Sequence, residues 1–274
     1  MTEKVIETGT PTLICSVSNR VATIAFNYPE KKNAMAREMM SALGETLTRI
    51  ESDSDIRTVV LTGKGGAFCS GGDVGGMGSA LGGGREPDAE ALIAHIRKSQ
   101  TAGTFRIYEF PKPVIAALPG AAAGAGMSLA LACDIRVCAE SGFLLPAFGK
   151  IGLSGDHGGS WLLSRLVGPG RAREIYFTNR RILPDEGLAL GLFNQVVPDE
   201  ELVSATKELA EKIAGFAPLA LRYMKENHNR AGFCDFRTAL DWEADRMIRT
   251  MLSEDHREGV RAFAEKRPPE FGKH

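Results

Sequence analysis

The stretch GAAAGAGMSLALACDIRVCAE, residues 120–140, does most to decide the fold. It follows a β-prone run at residues 114–118 and begins with small residues that allow a sharp turn. The pattern then changes to an apolar run of helical length at residues 124–133, before a second β-prone run at residues 134–138. We therefore expect a strand, a turn, a buried helix and a second strand, in this order.

The first half of the chain carries alternating strand and helix signals. Short β-prone runs at residues 12–18 and 21–26 predict a hairpin, and a third run at residues 57–62 predicts a buried strand. Between them, apolar residues recur at helical spacing, namely Met39, Leu43, Leu47 and Ile50. Such alternation is typical of α/β proteins.

The last third of the chain is helical in pattern. After a strand signal at residues 194–197, helical segments follow one another at residues 202–216, 218–229, 236–252 and 254–266. We therefore expect an α/β core over residues 1–200 and a helical C-terminal subdomain over residues 201–274.

The composition is that of an ordinary globular protein. Hydrophobic residues make up 43% of the chain and charged residues 24%, which is enough to form a core of useful size. Lys and Arg number 33 against 34 Asp and Glu, so the net charge is −1. This balance gives no general electrostatic reason to bind nucleic acid or an anionic membrane, and neither is expected as a partner.

The cysteines and the N-terminus favour a cytoplasmic location. Residues 1–10 are polar and lack the hydrophobic core of a signal peptide, and no apolar run reaches the length of a membrane span. The cysteines form no C-x-x-C pair, which fits reduced thiols better than a disulfide framework. There are five, an odd number: Cys15, Cys69, Cys133, Cys138 and Cys234.

Two glycine-rich segments carry the strongest chemical signal. In FCSGGDV, residues 68–74, a strand runs into two glycines; in PGAAAGAGMS, residues 119–128, a small-residue turn leads into a helix. Glycine lets a ligand approach backbone N–H groups closely, and the first turn of a helix leaves such groups unpaired. One N–H from each segment could bind an oxygen that gains negative charge, as an oxyanion hole requires. Each segment taken singly could also be an ordinary tight turn.

Four motifs in this order resemble those of the enoyl-CoA hydratase/isomerase (crotonase) superfamily. They are NAM at residues 33–35, FCSGGDV at 68–74, GAAAGAGMSLALACDIRVCAE at 120–140 and FAEKRPPEF at 263–271. The resemblance covers nearly the whole chain. It implies an α/β fold, a crotonase-like spiral of β-β-α units with a helical C-terminal trimerisation subdomain. It also implies an enzyme that acts on an acyl-CoA thioester and assembles as a homotrimer or a dimer of trimers.

The resemblance further implies which residues bind the substrate. The backbone N–H groups of Gly72 and Ala125 would form the oxyanion hole. The substrate carries coenzyme A itself, so no separate cofactor and no metal ion is expected. The CoA would bind along Ala34 and the segment 70–74, whose residues are Ser70, Gly71, Gly72, Asp73 and Val74.

Two of the implied positions, Lys266 and Asp73, have more than one interpretation. Phe263 and Lys266 would meet the CoA of a neighbouring subunit, by resemblance. Lys266 also fits a solvated cation at a helix end. A turn-stabilising role explains Asp73 better than a catalytic role does.

The sequence departs from a hydratase at both acidic positions. Hydratases of this family use two carboxylates to add water to a 2-enoyl double bond, and the corresponding residues here are Ser128 and Phe148. Neither can serve as the general acid or base. The segment IGLSGD, residues 151–156, resembles the aspartate-bearing segment of dienoyl-CoA isomerases, of isomerases of ring-opened or epoxidised phenylacetyl-CoA, and of an aromatic acyl-CoA dehalogenase. By this resemblance Asp156 would be the catalytic carboxylate; the alternative is a turn or helix-cap aspartate.

Two histidines complete the set of candidate groups. His157 could tune Asp156, but a solvent-facing loop position is the stronger expectation. His95 is expected to be a core or surface residue without a catalytic role.

These features favour an enoyl-CoA isomerase, in which Asp156 transfers a proton and the oxyanion hole stabilises a thioester enolate. Three alternatives stay open. They are a 2-enoyl-CoA hydratase of fatty-acid or aromatic-acid degradation, a dehalogenase-like or hydrolytic enzyme in which Asp156 attacks the substrate, and a non-catalytic acyl-CoA-binding protein.

Overall fold

Two sheets and the helices around them make up the part of the chain that the structure describes. The structure, a computed structural model, describes residues 3–73 and 88–272. Its strands are β1 (Lys4–Ile6), β2 (Leu13–Ser18), β3 (Val21–Phe26), β4 (Thr58–Gly63), β5 (Ala67–Cys69), β6 (Val114–Leu118), β7 (Ala121–Ala123), β8 (Ile135–Ala139), β9 (Phe143–Leu145) and β10 (Gln195–Val197).

The helices alternate with these strands up to β10 and then follow one another. They are α1 (Arg37–Ser52), α2 (Ala89–Gln100), α3 (Ala125–Ala132), α4 (Gly159–Thr178), α5 (Pro184–Ala189), α6 (Leu202–Ala214), α7 (Pro218–Ala231), α8 (Phe236–Met251) and α9 (Glu254–Glu265). Helix α2 continues through a π-helical turn, Thr101–Phe105, into a last helical turn, Arg106–Tyr108.

The two sheets are wound together by a repeated unit. The larger sheet has the strand order β1-β2-β3-β4-β6-β8-β10, antiparallel from β1 to β3 and parallel from β3 onward. The smaller sheet has the order β5-β7-β9 and is parallel. The chain therefore places one strand in each sheet and then a helix, in the series β4-β5-α2, β6-β7-α3 and β8-β9-α4. This series confirms the predicted spiral of β-β-α units.

Helix α3 lies in the centre of the core. All of its residues are buried, and it packs against α4 and against strands β5 and β7. A helix that is apolar on every side belongs inside a protein rather than on its surface, and small side chains let its neighbours approach closely. The stretch that is most distinctive in the sequence is thus the element around which the rest is arranged.

The C-terminal helices differ in how they meet the larger sheet. Helix α6 packs on β4, β6 and β8, where Leu202 and Ala210 join a second buried cluster with Val60, Ile115 and Val137. Helices α7 and α8 bury no residue completely. Of the helices within residues 3–73 and 88–272, none combines the length and the apolar character needed to cross a membrane.

A buried guanidinium joins the C-terminal tail to the start of the parallel strands. Arg57, just before β4, donates to the carbonyl of Ala214 at the end of α6 (3.3 Å) and to the carbonyl of Phe271 in the tail. Burial lowers the pKa of Arg57. One side chain therefore connects β4, α6 and the tail.

The side chain of Asn33 fixes the start of β5. It is fully buried, and its backbone has a φ of 59°, a conformation that asparagine tolerates better than most residues. Its amide oxygen accepts the N–H of Tyr28 (2.8 Å), and its amide nitrogen donates to the carbonyls of Lys64 and Ala67 (2.8 Å each). Asn33 therefore joins the turn after β3 to both ends of the β4–β5 connection.

We expect Asn33→Ala to destabilise the protein. The substitution leaves the N–H of Tyr28 and the carbonyls of Lys64 and Ala67 without their partner, and the bond to Ala67 is fully buried. The cost is about 3 kcal/mol, which lowers Tm by roughly 6–12 °C. Asn27→Ala is the matched control, because its amide makes a solvent-exposed bond to the carbonyl of Pro11. Differential scanning calorimetry measures both. Equal losses of Tm in the two variants would contradict the role of Asn33.

Candidate active site

Strands β5 and β7 bring the two glycine-rich segments into contact. They pair in parallel, Ala67 with Ala121 and Cys69 with Ala122, so residues 70–73 and the start of α3 emerge at the same edge of the smaller sheet. Gly71 has a φ of 95°, and a Cβ on it would lie 2.8 Å from the carbonyl oxygen of Ala123 and 3.4 Å from the nitrogen of Ala125. Backbone therefore packs directly on backbone at this place.

Gly72 and Ala125 sit in these adjoining segments. Ala125 is buried and is the first residue of α3, and the first bond of that helix runs from the N–H of Ser128 to the carbonyl of Gly124 (3.2 Å). The N–H of Ala125 therefore precedes the intrahelical ladder and has no acceptor within it. Gly72 is partly exposed. Two N–H groups in such segments are able to bind one oxygen atom, and the backbone supplies them whatever the side chains are.

Residues 31–35 form a border along the first segment. Met35 forms a parallel bridge with Gly72, and its N–H donates to the carbonyl of Gly71 (2.8 Å). Lys31 forms an ion pair with Asp73 (2.9 Å), which raises the pKa of the Lys31 amine.

Besides Gly71, Gly72 and Asp73, two further residues predicted to bind CoA lie along this border. Ala34 is buried. The hydroxyl of Ser70 donates to the carbonyl of Lys31 (3.1 Å). Val74, which was predicted together with them, lies outside the described residues.

Phe263 and Lys266 lie on a different part of the molecule. Lys266 ends α9 with a left-handed backbone, φ 54°, and its side chain is exposed. Phe263 is also exposed and lines a groove of about 450 Å³ between helices α7, α8 and α9, together with Met247, Met251 and Val260. Their predicted contact with CoA therefore involves other elements than residues 34 and 70–73.

The three positions considered for the carboxylate meet at the far side of α3. The hydroxyl of Ser128, fully buried, donates to the backbone carbonyl of Asp156 (3.1 Å). The ring of Phe148 is buried and stacks on the ring of Tyr176, with centroids 6.2 Å apart and planes 12° apart. Ser128 thus holds the backbone of the Asp156 loop, and Phe148 makes the wall beside it apolar.

The side chain of Asp156 is partly buried, and one of its carboxyl oxygens, Oδ1, is enclosed by protein. Its Oδ1 atom has no hydrogen bond within the described part of the chain, and α4 is capped by Gly158 rather than by an aspartate side chain. Burial raises the pKa of Asp156 above its usual 3.8, and the charge of His157 opposes this rise. A partly buried carboxyl that caps no helix and has a raised pKa is suited to proton transfer.

His157 is buried, and the expectation that it faces solvent is wrong. Its backbone takes a left-handed turn, φ 50°, which points the ring inward. There Nδ1 lies 2.9 Å from the hydroxyl of Thr104, also buried. Thr104 belongs to the π-helical turn after α2, and burial lowers the pKa of His157. His95 is exposed on α2, as one of the two expectations for it allowed.

Tyr176 is a neighbour of Asp156 that no sequence pattern indicated. The two residues are separated by most of α4, which contains a kink at Gly168 and Pro169. The charge of Asp156 contributes to a raised pKa of Tyr176, after the larger effect of burial. Because the kink was not predicted, helical periodicity could not show that Tyr176 returns to the start of α4.

Among the described ranges, no three His, Cys, Asp or Glu side chains gather as a metal site requires.

A spiral of β-β-α units, with two glycine-rich strand ends meeting at the start of a buried helix, defines a crotonase-type protein. The sequence model of the enoyl-CoA hydratase/isomerase family matches residues 16–274. The chain belongs to this family of acyl-CoA enzymes.

Similar proteins carry both activity names of the family. The chain is 36% identical to a 1,2-epoxyphenylacetyl-CoA isomerase of Escherichia coli K12, over 94% of the chain and 97% of the relative. It is also 36% identical to a short-chain-enoyl-CoA hydratase of Clostridium acetobutylicum, over 93% of the chain and 95% of the relative. Among solved structures, an enoyl-CoA hydratase from Polaromonas sp. JS666 superimposes with a TM-score of 0.89 at 33% identity, covering 94% of this chain and 99% of that one.

The raised pKa of Asp156 predicts how a substitution changes stability with pH. A carboxyl whose pKa is raised by folding stabilises the protein at low pH, and this contribution is lost as the pH rises through the raised pKa. We therefore expect the Tm of Asp156→Asn, relative to the native protein, to increase between about pH 4 and pH 8, measured by thermal denaturation.

Asp235→Asn is the control with the opposite sign. Asp235 caps α8 by accepting the N–H of Thr238 (2.9 Å), and this bond lowers the pKa of Asp235. Its contribution is present above the unfolded pKa, so the relative Tm of this variant should fall as the pH rises. The same slope in both variants would show that the Asp156 carboxyl is not destabilised by burial.

Proposed function

We propose that the protein is an enoyl-CoA isomerase that moves a double bond of an acyl-CoA thioester, with Asp156 as the acid and base. The supporting observation is that Asp156 has a buried carboxyl oxygen, Oδ1, with no hydrogen bond within residues 3–73 and 88–272. By resemblance, Ser128 and Phe148, both buried, occupy the positions of the two hydratase acids. The carboxylate takes a proton from the acyl chain, and the electrons of that C–H bond pass to the thioester oxygen. The protonated Asp156 then returns the proton to another carbon, so no atom is gained or lost.

We propose further that the N–H groups of Gly72 and Ala125 bind the thioester oxygen. The oxygen carries the negative charge of the enolate, and donors fixed by the backbone stabilise it without reorganisation. Support comes from the contact of the Gly71 backbone with the first residue of α3. Loss of one such donor typically lowers turnover by about 100- to 1,000-fold.

The same proposal places coenzyme A along residues 34 and 70–74. Met35 and Gly72 are bridged there, so residues 33–35 and 70–73 form one continuous backbone border beside the proposed oxyanion hole. The substrate supplies the CoA, and the mechanism needs no further cofactor.

A hydratase is the second candidate, because a short-chain-enoyl-CoA hydratase is among the relatives at 36% identity. Addition of water needs a group that takes a proton from the water and one that gives a proton to the α-carbon. Asp156 would have to do both through one water molecule, with no second carboxylate at position 128 or 148.

The two candidates are separated by assays of Asp156→Asn and Ser128→Ala with a 3-enoyl-CoA and with crotonyl-CoA. Asp156→Asn keeps the shape of the side chain but removes the base. Isomerisation should fall by at least about 100-fold, with CoA affinity nearly unchanged. Ser128→Ala should change turnover only slightly, because the carbonyl of Asp156 also accepts the N–H of Gly159 (3.2 Å). An active Asp156→Asn with an inactive Ser128→Ala would contradict the proposal, and hydration of crotonyl-CoA as the main activity would favour the hydratase.

We also propose that the protein works as a homotrimer or a dimer of trimers. Large apolar side chains are exposed on the C-terminal helices, including Phe236 (78% exposed), Leu252 (65%) and Phe263 (87%). Phe263 lines one groove with Met247, Met251 and Val260, and contiguous apolar surface marks an interaction site. A closed rotational assembly covers such a surface in every copy. In such an assembly Phe263 and Lys266 would reach the CoA of the neighbouring subunit.

Sedimentation velocity tests the assembly. The mass should be three or six times 29.4 kDa, and Phe236→Asp should dissociate it by placing a charge in the interface. Val5→Asp is the control, since Val5 is similarly exposed (64%) but lies on β1. A native protein that sediments at 29.4 kDa at micromolar concentration would contradict the proposal.

The free cysteines fit a reducing compartment, and we propose that the protein works in the cytoplasm. The cysteines are free thiols; four of them are buried, and burial raises the pKa of Cys15, Cys69, Cys133 and Cys138 to about 12. Protonated thiols of this kind are poor nucleophiles.

A further inference from the structure

Two buried polar atoms near the start of α4 lack hydrogen-bond partners within residues 3–73 and 88–272. They are Oδ1 of Asp156 and the phenolic oxygen of Tyr176. Buried polar groups are nearly always paired, and an unpaired one destabilises the folded state unless a ligand or a water satisfies it. One of the two atoms is an acceptor and the other carries a donor proton, so each is able to satisfy the other.

Tyr176 packs against the loop on both sides of Asp156. A Cβ on Gly159 would lie 2.5 Å from the phenolic oxygen of Tyr176 and would collide with the hydroxyl of Ser128. A Cβ on Gly155 would lie 3.2 Å from Cε1 of the same ring. Since Ser128 itself donates to the carbonyl of Asp156, the Tyr176 hydroxyl belongs to the cluster that surrounds the Asp156 backbone.

The orientation of the Tyr176 ring is set by its neighbours. Its face stacks on Phe148, and glycine at positions 155 and 159 leaves room for its edge and its hydroxyl. Burial, with a smaller contribution from the charge of Asp156, raises the pKa of Tyr176 to about 12. The phenol therefore keeps its proton at any pH at which the enzyme works.

We propose that Tyr176 is a positioning residue for Asp156: its hydroxyl donates to the Asp156 carboxylate, directly or through one water, and holds that carboxylate in its ionised form. This inference rests on the proposed role of Asp156 as the acid and base. It assigns to Tyr176 the task of keeping Asp156 a usable base in spite of its burial, since a donor to the charged form favours that form.

Few other groups act on the Asp156 carboxyl from the elements packed around it. His157, in the same loop, carries the one other titratable side chain whose charge affects the pKa of Asp156 within the described residues. Helix α3 contributes the hydroxyl of Ser128, which is engaged with the Asp156 backbone. The π-helical turn contributes Thr104, which is engaged with His157.

The test is the pKa of Asp156 in Tyr176→Phe, measured in the unliganded protein by ¹³C NMR titration of the aspartate carboxyl groups. The resonance is assigned by its absence in Asp156→Asn. Phenylalanine keeps the stacked ring and removes the donor, so the pKa should rise by about one unit. Tyr108→Phe is the matched control, because Tyr108 is also partly buried and packs edge-on against Trp161. A Tyr176→Phe pKa that is unchanged or lower, or an equal rise in Tyr108→Phe, overturns the inference.

The pH dependence of kcat/KM gives a second, independent readout. In Tyr176→Phe the acid limb should move up by the same amount, so that activity is about tenfold lower below the native pKa and returns to the native level at high pH. A purely structural role would lower activity at every pH, and that result counts against the inference. Because the NMR measurement needs no turnover, a raised Asp156 pKa together with an active Asp156→Asn would retain the pairing and reject the proposed function.

Discussion

The direct packing of backbone on backbone between β5 and the start of α3 is the constraint on which the rest of the structure depends. A Cβ on Gly126 would collide with the carbonyl of Cys69, and one on Gly71 would crowd the carbonyl of Ala123. Since real Cβ atoms do not approach this closely, larger residues would push α3 away from the smaller sheet. Gly71 and Gly126 therefore allow the smaller sheet to pack directly on α3. The same close packing keeps the segments of Gly72 and Ala125 next to each other. Fold and site share one geometric requirement here.

A second consequence follows on the opposite side of α3. Because α3 is held so closely, Ser128 reaches the carbonyl of Asp156 and fixes the loop before α4. That loop contains left-handed turns at Gly155 and His157. It also carries a carboxyl whose Oδ1 atom has no hydrogen bond to any residue that the structure describes. Strained or unpaired groups persist only where surrounding contacts hold them, and here those contacts come from Ser128, from the His157–Thr104 bond and from the Phe148–Tyr176 stack. The Asp156 carboxyl is thus unfavourable in itself and is held in place by the contacts around it.

The sequence predicted the long elements and the chemistry of single segments, but not the contacts between distant elements. The hairpin, α1 and the four C-terminal helices were predicted because each has a clear period of its own. Strand β7, within the stretch read as a turn, and strand β9 were missed, because pairing with neighbouring strands of the smaller sheet, rather than a pattern of their own, holds them. In the candidate site, the predicted closeness of residues 70–73 to α3 is confirmed by the contacts of Gly71. Burial of His157 depends on a π-helical turn, which has no local signature. The kink that places Tyr176 has a local signal in Gly168-Pro169, but this signal does not show in which direction the helix continues.

The buried side chain of Arg57 shows how far the ends of the chain matter to its middle. The guanidinium donates to the backbone oxygens of Ala214 and Phe271, so the tail around Phe271 is tied to the strand that begins the spiral. An arginine in that position stays charged, and without its acceptors it would be a cation enclosed by protein. Purification tags or fusion partners are therefore better attached before β1 than after the tail, since an added segment close to Phe271 would disturb its hydrogen bond with Arg57.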